Sequence, residues 1–296
     1  MQLSIIILSY NTKALTIRCI ESVIKQYKRQ LENNEFEVIV VDNASTDGSA
    51  EAIDNFQFPS ASWRTNFQLI KNKKNYGFSK GNNIGTKYTN GRYLFFLNSD
   101  TEVLDEGIAH MVGYLDNHKN VGILGAKLQN SDGTAQPSSG TFYTLLPTIL
   151  MLFGGERFGL LRESPSEVKQ VDWVSGGAMM VRNALFKKFG GFDEHFFMYV
   201  EDMEFCFRVK RQGLTTYFYP AVSIIHKALA SSNRTFAIVH IYRGLLYFYK
   251  KHANSIQYTL VKLLLTLKAY VAIAVGTFTH NAYLTSTYRK TLSLSL

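Results

Sequence analysis

The sequence predicts an α/β fold with a mostly parallel central sheet, and three observations support this prediction. Short segments rich in Val, Ile and Phe alternate with longer amphipathic segments, which is the pattern of strands joined by helices. The 296 residues are 46% hydrophobic and 19% charged, which suits a large folded core rather than a disordered chain. The two cysteines, Cys19 and Cys206, exclude a disulfide framework or a cysteine zinc cluster as the basis of the fold.

Four strands alternate with four helices in residues 1–118. The strands are apolar enough to be buried on both faces, as strands of a parallel sheet are. We expect no secretory signal before the first strand, because its apolar segment is too short and no basic residue precedes it. The predicted strands are Leu3–Leu8, Phe36–Val41, Phe67–Ile70 and Arg92–Leu97, and the predicted helices span residues 12–33, 47–56, 78–90 and 105–118.

Polar residues follow the first, second and fourth predicted strands. Because ligands of parallel α/β sheets bind beyond the carboxyl ends of the strands, these residues are expected to form one polar rim of a binding site. Asp42, Ser45 and Asp47 also suit turns and helix N-termini, and for Asp47 that structural interpretation is favoured. The rim residues are Ser9, Tyr10, Asn11, Asp42, Asn98, Ser99 and Asp100.

The segment after the third strand, residues 75–85, is rich in glycine and asparagine. Its glycines permit close approach of a ligand, and Lys80 offers a positive charge suited to a diphosphate. It contains neither the G-x-G-x-x-G dinucleotide pattern nor the G-x-x-x-x-G-K-[ST] phosphate loop, which argues against hydride transfer and nucleotide hydrolysis. A flexible turn is the alternative. The candidate ligand-binding residues here are Asn75, Gly77, Lys80 and Asn82.

The chain resembles the inverting family 2 glycosyltransferases of GT-A fold, and within them the bacterial rhamnosyltransferase-like group. The resemblance covers about residues 3–252 and implies a GT-A catalytic domain over residues 1–235. It is carried by six segments in consistent order: LSIIILSYN, VIVVDNAS, NYGFSKGNN, LFFLNSDTEV, DWVSGGAMMVR and GGFDEHFFMYVEDMEFCFRVKRQG.

The resemblance implies that the donor is a dTDP- or UDP-sugar. Asp42 would accept from the imide N–H of uracil or thymine, with Ser9, Tyr10 and Asn11 beside the nucleotide. Asp100 would bind Mg²⁺ or Mn²⁺, which stabilises the departing diphosphate. Asn98 stands where the family's D-x-D motif has its first acid, so this chain has one carboxylate there instead of two.

The resemblance also implies the catalytic and acceptor residues. Asp202 would be the general base that deprotonates the acceptor hydroxyl, with Glu201 as the second choice. The alternative is that both acids only favour the N-terminus of a helix. His226 would reach the metal or the diphosphate, although it could equally be a polar residue that closes a strand, because the glycines that follow it in relatives are absent.

Trp173, Gly176 and Gly177 would face the acceptor, with Trp173 as a platform for a sugar ring or, alternatively, as a buried packing residue. Residues 129–170 show little periodicity and contain three prolines, so we expect an irregular segment that forms part of the acceptor mouth.

The C-terminal part of the chain is basic and apolar. All 23 acidic residues lie in residues 1–204, whereas residues 205–296 carry 12 Lys and Arg. Long apolar runs between these charges favour a membrane surface over nucleic acid. We therefore predict a helical extension at 236–296 that meets the cytoplasmic face of the cell membrane through residues 250–290 as interfacial or partly inserted helices. Packing on the protein's own core or in a homodimer is the alternative.

Together these expectations describe an inverting hexosyltransferase of cell-surface polysaccharide synthesis. It would move a sugar such as rhamnose to a hydroxyl of a glycan acceptor, lipid-linked in the favoured version. A catalytically silent module that binds a nucleotide sugar or a glycan is the alternative. A polymerising synthase is disfavoured, because several clear membrane spans and a Q-x-x-R-W motif would be expected.

Overall fold

The computed structural model describes residues 1–57, 65–155, 159–227 and 233–295. Its strands are β1 (Leu3–Ser9), β2 (Phe36–Asp42), β3 (Phe67–Lys71), β4 (Tyr93–Asn98), β5 (Thr101–Val103), β6 (Val121–Gln129), β7 (Ala135–Gln136), β8 (Ser139–Gly140), β9 (Arg162–Glu163), β10 (Lys169–Val171), β11 (Trp173–Val174), β12 (Ala178–Arg182) and β13 (Thr215–His226).

The helices are α1 (Lys13–Gln26), α2 (Lys28–Glu32), α3 (Ser49–Asp54), α4 (Gly77–Thr86), α5 (Gly107–Asn117), α6 (Leu145–Leu152), α7 (Asn183–Lys188), α8 (Glu201–Lys210), α9 (Arg234–His252), α10 (Ser255–Phe278) and α11 (Ala282–Ser295).

The central sheet has the strand order β10-β13-β6-β12-β4-β1-β2-β3, with β5 on β13 and β7 on β6. The pairs β1–β2, β1–β4, β2–β3 and β6–β13 are parallel, which confirms the predicted mostly parallel sheet. The register sets Ser9 beside Asp42 and Leu8 beside Asn98, so the ends of these strands lie at one edge. β12 lies antiparallel between β4 and β6, and the local sequence pattern does not predict this insertion.

Helices cover both faces of the sheet. Successive residues of a strand point to opposite faces. Ile5 and Ile7 belong to the apolar core shared with α1 and α5, whereas Ile6 belongs to the core shared with α7, α8 and α9. The four predicted strands are each present within about two residues, because their runs of β-branched and aromatic residues fill both cores.

All four predicted helices differ from the observed ones in their bounds: the one predicted over 78–90 spans Gly77–Thr86, and the one predicted over 105–118 spans Gly107–Asn117. The helix predicted over 12–33 is interrupted at Tyr27, whose buried hydroxyl donates to the carbonyl of Asp105 and accepts from the N–H of Ile108. The helix predicted over 47–56 begins at Ser49, because Gly48 has left-handed backbone angles. Asp47 accepts from the backbone N–H groups of Lys13 and Ser49, which confirms its structural interpretation.

Residues 129–170 were expected to be irregular, and the described part is irregular over most of its length but contains some regular elements. The segment contains α6 and short strands, and β8 joins β9 and β11 in a second sheet of three strands. The pairs in this small sheet are two residues long, which explains why no periodicity is visible in the sequence.

The first helix of the predicted extension belongs to one of the two apolar cores of the sheet. α9 buries Tyr242, Leu245, Phe248 and Tyr249 in the core that also contains residues of α8. α10 adds Val261 and Leu265 to the same core and packs against α6, α9 and α11. The predicted division at residue 235 therefore falls where a core helix begins.

α10 also exposes apolar side chains. It is the described helix that is long and apolar enough to cross a membrane by length and composition, and only 22% of its most apolar window is buried. Its exposed side chains recur at helical spacing on the face away from Val261 and Leu265. They include Ile256, Leu260, Leu263, Leu267, Tyr270, Val271 and Phe278.

Candidate active site

A cavity of about 700 Å³ opens at the carboxyl ends of β1 and β4. One part of its wall comes from residues 8–100 and the other from residues 143–241. Twelve of the residues predicted from sequence line it: Tyr10, Asn75, Gly77, Asn98, Ser99, Asp100, Trp173, Gly176, Gly177, Glu201, Asp202 and His226.

Asp42 ends β2, is only 2% exposed and does not line the cavity, whereas the next residue, Asn43, does. Its Oδ2 accepts from the backbone N–H of Ser45 at 3.0 Å, whereas its buried Oδ1 has no hydrogen-bond partner among the described residues. A buried carboxylate oxygen without a donor is costly, and a ligand N–H would satisfy it. The geometry therefore suits a base with an imide N–H.

Four predicted nucleotide residues support the loops around the cavity rather than line it. Asn11 joins two loops, since its N–H donates to Ser45 Oγ and its Oδ1 accepts from the N–H of Thr46. The hydroxyl of Ser9 lies 2.9 Å from Thr16 Oγ1, and the side chain of Asn82 donates to the Phe78 carbonyl. Lys80 forms an ion pair of 3.0 Å with Glu194. Their direct contacts with a nucleotide stay predictions.

Asn43 lies in the VIVVDNAS segment, and the sequence motifs assigned no role to it. Its Nδ2 donates to Asn75 Oδ1 at 3.2 Å and to the Gly77 carbonyl at 3.0 Å, and its Oδ1 accepts from Asn72 Nδ2 at 2.8 Å. One buried amide thus links the end of β2 to the glycine-rich loop and fixes that part of the cavity wall.

Asp100 and His226 come together although 126 residues separate them, because β5 pairs with the end of β13. Asp100 Oδ1 lies 3.4 Å from His226 Nε2. Asn98 Nδ2 is 3.2 Å from the same nitrogen, and Nδ1 of the ring lies 2.9 Å from Gln136 Oε1. Gln136 therefore fixes the ring, a role that sequence reasoning missed.

This donor set fits a divalent cation. A carboxylate and a neutral imidazole can both bind Mn²⁺, and Mg²⁺ typically uses one or two carboxylates together with substrate phosphates and water. Within the described part of the chain there is no group of three or more His, Cys, Asp and Glu that could hold a metal alone. Any cation bound here would therefore take its remaining ligands from water or from the oxygens of a diphosphate.

Asp202 lies in the first turn of α8, with its carboxylate at the cavity. Oδ2 accepts from the N–H of Gly176 at 2.9 Å, and Oδ1 accepts from the N–H of Met203 at 2.7 Å. Burial raises the pKa of Asp202, and the two N–H donors and the positive charge of Arg162 oppose this rise.

The neighbouring acid, Glu201, differs in its surroundings. It is 4% exposed, and its buried Oε2 has no hydrogen-bond partner among the described residues. Burial, and secondly the charge of Asp202, raise the pKa of Glu201 well above its ordinary range. The two adjacent carboxyl groups are therefore unequal, and Asp202 is the better stabilised anion.

The backbone just before this pair is strained. Tyr199 and Val200 have φ of 69° and 74°, left-handed angles that cost on the order of 1–3 kcal/mol each for such residues. Gly244 of α9 packs against this turn, and a Cβ at that position would lie 2.9 Å from Val200 Cγ2. The absence of a side chain at Gly244 thus lets α9 pack closely against the strained turn that precedes Asp202.

Charged groups also connect α8 to α9. Glu204, which is fully buried, accepts from Arg208 Nε through both oxygens, from Lys251 Nζ at 2.8 Å and lies 2.9 Å from His252 Nε2. Lys251 also pairs with Asp193 at 2.6 Å. This cluster was not predicted, because its partners are distant in sequence and no local motif joins them.

On the acceptor side, Trp173 is 5% exposed and still lines the cavity. Its Nε1 donates to the Thr141 carbonyl at 3.0 Å, and the guanidinium of Arg162 lies over its ring at 5.4 Å. Gly177 faces Asn98, where an added Cβ would lie 3.0 Å from Nδ2. Trp173 therefore serves packing and also presents a surface to the cavity.

The sheet order is that of a GT-A fold, which the solved structures described below share. The chain belongs to glycosyl transferase family 2, whose model matches residues 4–190. A second model, described as the N-terminal domain of galactosyltransferase, matches residues 163–234. The family and the fold expected from the sequence motifs are confirmed, and the protein is a glycosyltransferase by membership.

Among similar proteins, the low-salt glycan biosynthesis hexosyltransferase Agl10 of Haloferax volcanii is 26% identical over 89% of this chain and 82% of its own length. Rhamnosyltransferase WbbL of Escherichia coli is 27% identical over 54% of this chain and 64% of its own. The N-acetylglucosaminyl-diphospho-decaprenol L-rhamnosyltransferase of Mycobacterium tuberculosis is 25% identical over 67% and 68%.

Solved structures share the fold. GalNAc-T7 with UDP, GalNAc and Mn²⁺ has a TM-score of 0.61 at 17% identity, over 84% of this chain and half of that chain. The mannosyltransferase PcManGT of Pyrobaculum calidifontis, with GDP-Man and Mn²⁺, has a TM-score of 0.58 at 15% identity, over 99% and 74%. S. aureus TarS 1–349 with UDP-GlcNAc has a TM-score of 0.56 at 17% identity, over 94% and 73%.

Proposed function

We propose that the protein is an inverting hexosyltransferase that moves a sugar, rhamnose being the favoured one, from a dTDP- or UDP-sugar to a hydroxyl of a lipid-linked glycan. The observation that carries this proposal is the pairing, in one cavity, of Asp202 with the Asp100–His226 pair. The names of the two rhamnosyltransferase relatives support rhamnose and, for the mycobacterial one, an acceptor with a diphospho-lipid.

Asp202 acts as the general base in this proposal. Its carboxylate accepts the proton of the acceptor hydroxyl as that oxygen bonds to the anomeric carbon. The bond between that carbon and the diphosphate oxygen breaks, and its electron pair leaves with the diphosphate, so the anomeric centre inverts. Glu201 is the less suitable base, because its raised pKa keeps it protonated at higher pH.

Asp100 and His226 would hold Mg²⁺ or Mn²⁺. The cation, when bound, offsets the charge that develops on the departing diphosphate. Two of the similar structures contain Mn²⁺, which supports this assignment. Asp100→Ala is therefore expected to weaken UDP binding in Mn²⁺ and to leave the weaker binding in EDTA unchanged. Equal loss in both conditions, measured by calorimetry, would refute the metal role.

We place the enzyme at the cytoplasmic face of the membrane, as a peripheral protein attached through residues 250–290. The exposed apolar side chains of α10 and the absence of acidic residues after Glu204 support this placement. A homodimer that covers the same face of α10 is the competing arrangement, and sedimentation of the detergent-free protein distinguishes the two.

A thermal-shift comparison of nucleotides tests the proposal, because a ligand that binds the native state raises the melting temperature. UDP and dTDP with Mn²⁺ should stabilise the protein more than CDP or ADP, whose base rings carry no N–H donor for Asp42. Asp42→Asn should remove this preference, and the exposed Asp132→Asn serves as control. Stabilisation by GDP alone would refute the donor assignment. Nucleotide binding without transfer to any glycan would favour a silent binding module.

A further inference from the structure

We propose that Arg162 is an anion-binding residue of the acceptor site, where its guanidinium takes a phosphate or diphosphate carried by the acceptor. The proposal rests on the proposed function for the identity of the reaction, and it names a group of the acceptor that the proposed catalytic residues do not bind. Nothing in the sequence motifs assigns a role to Arg162.

Arg162 differs in charge from the acidic residues that line the cavity. Three acids line the cavity, Asp100, Glu201 and Asp202, and Arg162 is the lining residue of the described chain that carries a permanent positive charge. None of the described ion pairs includes it, whereas Arg92 and Arg208 each pair with a carboxylate at 2.9 Å or less.

The guanidinium of Arg162 has unused hydrogen-bonding capacity. Its Nε is buried and has no hydrogen-bond partner among the described residues. A buried donor without an acceptor typically costs about 1–3 kcal/mol, more when it is charged. A phosphate oxygen would remove this cost, and the planar fork of arginine matches phosphate in a two-bond geometry.

The position of Arg162 is set by rigid neighbours. β9 holds its backbone against β8, and the ring of Trp173 lies under its guanidinium at 5.4 Å. Trp173 is itself fixed by the hydrogen bond to Thr141. The arginine is close enough to Asp202 for its charge to oppose the rise of that residue's pKa. An anion at Arg162 would therefore lie near the proposed base, in the cavity that both residues line.

An apolar surface continues outward from this place. Tyr143 and Met151 line the cavity near the ends of α6, and the same helix exposes Leu146 and Leu150 to solvent. α6 packs on α10, whose exposed apolar face was described above. An acceptor with an anionic group at Arg162 and an alkyl chain along α6 would match both surfaces. A phosphate within the glycan would use Arg162 alone.

Decyl diphosphate, inorganic diphosphate and the uncharged decyl maltoside are suitable probes, each titrated calorimetrically with saturating UDP and Mn²⁺ to occupy the donor site. We expect decyl diphosphate to bind more tightly than decyl maltoside. In a Trp63→Phe protein, which retains Trp173 as its single tryptophan, binding should change the fluorescence.

Arg162→Gln should raise the dissociation constant of decyl diphosphate about 10- to 100-fold, as expected for the loss of charged hydrogen bonds, and Arg162→Lys should raise it less. Lys169→Gln is the matched control, since Lys169 is a nearby cation that lies outside the cavity lining and pairs with Glu163. Tight binding of inorganic diphosphate, lost in Arg162→Gln, would also support the anion site and would assign the anion to the glycan rather than to a lipid.

Equal affinity of Arg162→Gln and the parent protein for both diphosphates would overturn the proposal, as would decyl maltoside binding as tightly as decyl diphosphate. UDP binding by the same proteins separates the two levels of inference. If the parent and Arg162→Gln both bind UDP and neither distinguishes the probes, only the role of Arg162 fails. If the parent does not bind UDP, the proposed function fails as well.

Discussion

Replacing Glu204 by glutamine should destabilise the protein strongly, because this one carboxylate serves three cationic or potentially cationic side chains. Glu204 is fully buried, with Arg208, Lys251 and His252 all within 3.0 Å. Removing one partner of a buried ion pair typically costs about 3–5 kcal/mol, since the remaining charge stays buried. At roughly 2–4 °C per kcal/mol for a large domain, the expected fall in melting temperature is about 6–20 °C.

Urea unfolding monitored by circular dichroism measures this effect, with Glu163→Gln as the control. Glu163 pairs with Lys169 at 2.6 Å, but both side chains are at least one-third exposed, so its loss should cost no more than about 1 kcal/mol. The cost for Glu204→Gln should also depend on pH. Burial alone would raise the pKa of Glu204, but the hydrogen bond with His252 and the charges of Arg208 and Lys251 lower it below 4.5. The stabilisation is therefore present above pH 4.5 and is lost as the pH falls through the lowered value.

The affinity of the folded variant for UDP should stay unchanged, because Glu204 does not line the cavity. Glu204→Gln and Glu163→Gln that unfold at the same urea concentration would refute the reasoning. So would a difference between Glu204→Gln and the parent that stays constant from pH 7 to pH 3.

Three further predictions concern the site and the tail. Asp202→Asn should lower turnover by about 10²- to 10⁴-fold with unchanged UDP affinity, and an active Asp202→Asn with an inactive Glu201→Gln would move the base by one residue. Glu201→Gln should raise the melting temperature above that of the parent, and the gain should grow as the pH rises above 4.5, because the raised pKa of Glu201 makes its burial costlier once the unfolded chain is ionised. No gain at neutral pH would contradict this. The double substitution Leu263→Ser and Leu267→Ser removes two side chains that are about 60% exposed, so it should leave the melting temperature unchanged. It should reduce flotation with anionic vesicles in 0.5 M salt, where the charge contribution is screened. Unchanged flotation would argue against an inserted apolar face.

The parallel half of the sheet and most of the polar rim could be predicted from the sequence. Strands β1 to β4 are runs of residues that bury both faces, so their positions follow from composition. Parallel pairing then brings Asn98 and Asp100 to the edge that Asp42 occupies. The motif resemblance correctly supplied the family, which local patterns alone do not determine.

The remaining features depend on contacts between distant residues. The sequence of β12 does not indicate that this strand lies between β4 and β6, because an apolar strand can pair with any of several other apolar strands. Gln136 and Arg162 come from a segment without periodicity. The β6–β7 pair brings Gln136 to His226, and the small sheet brings Arg162 to the cavity. Tyr27 interrupts a helix because of its partners in residues 105–108, which a helical pattern does not reveal.

Gly77 is a position in the cavity wall where the backbone tolerates only glycine. Its φ is +77°, and a Cβ there would overlap the carbonyl oxygen of Phe197, which also accepts from the N–H of Phe78. The loop before α4 and the loop before α8 are thus in backbone contact in the wall of the cavity, and this contact requires a glycine whatever ligand the cavity holds. Descendants of this chain could change their donor or acceptor by substitutions elsewhere in the wall, while a glycine at position 77 would persist through each change. Retention of that glycine in a diverged sequence is therefore a record of shared architecture and carries no information about the sugar transferred.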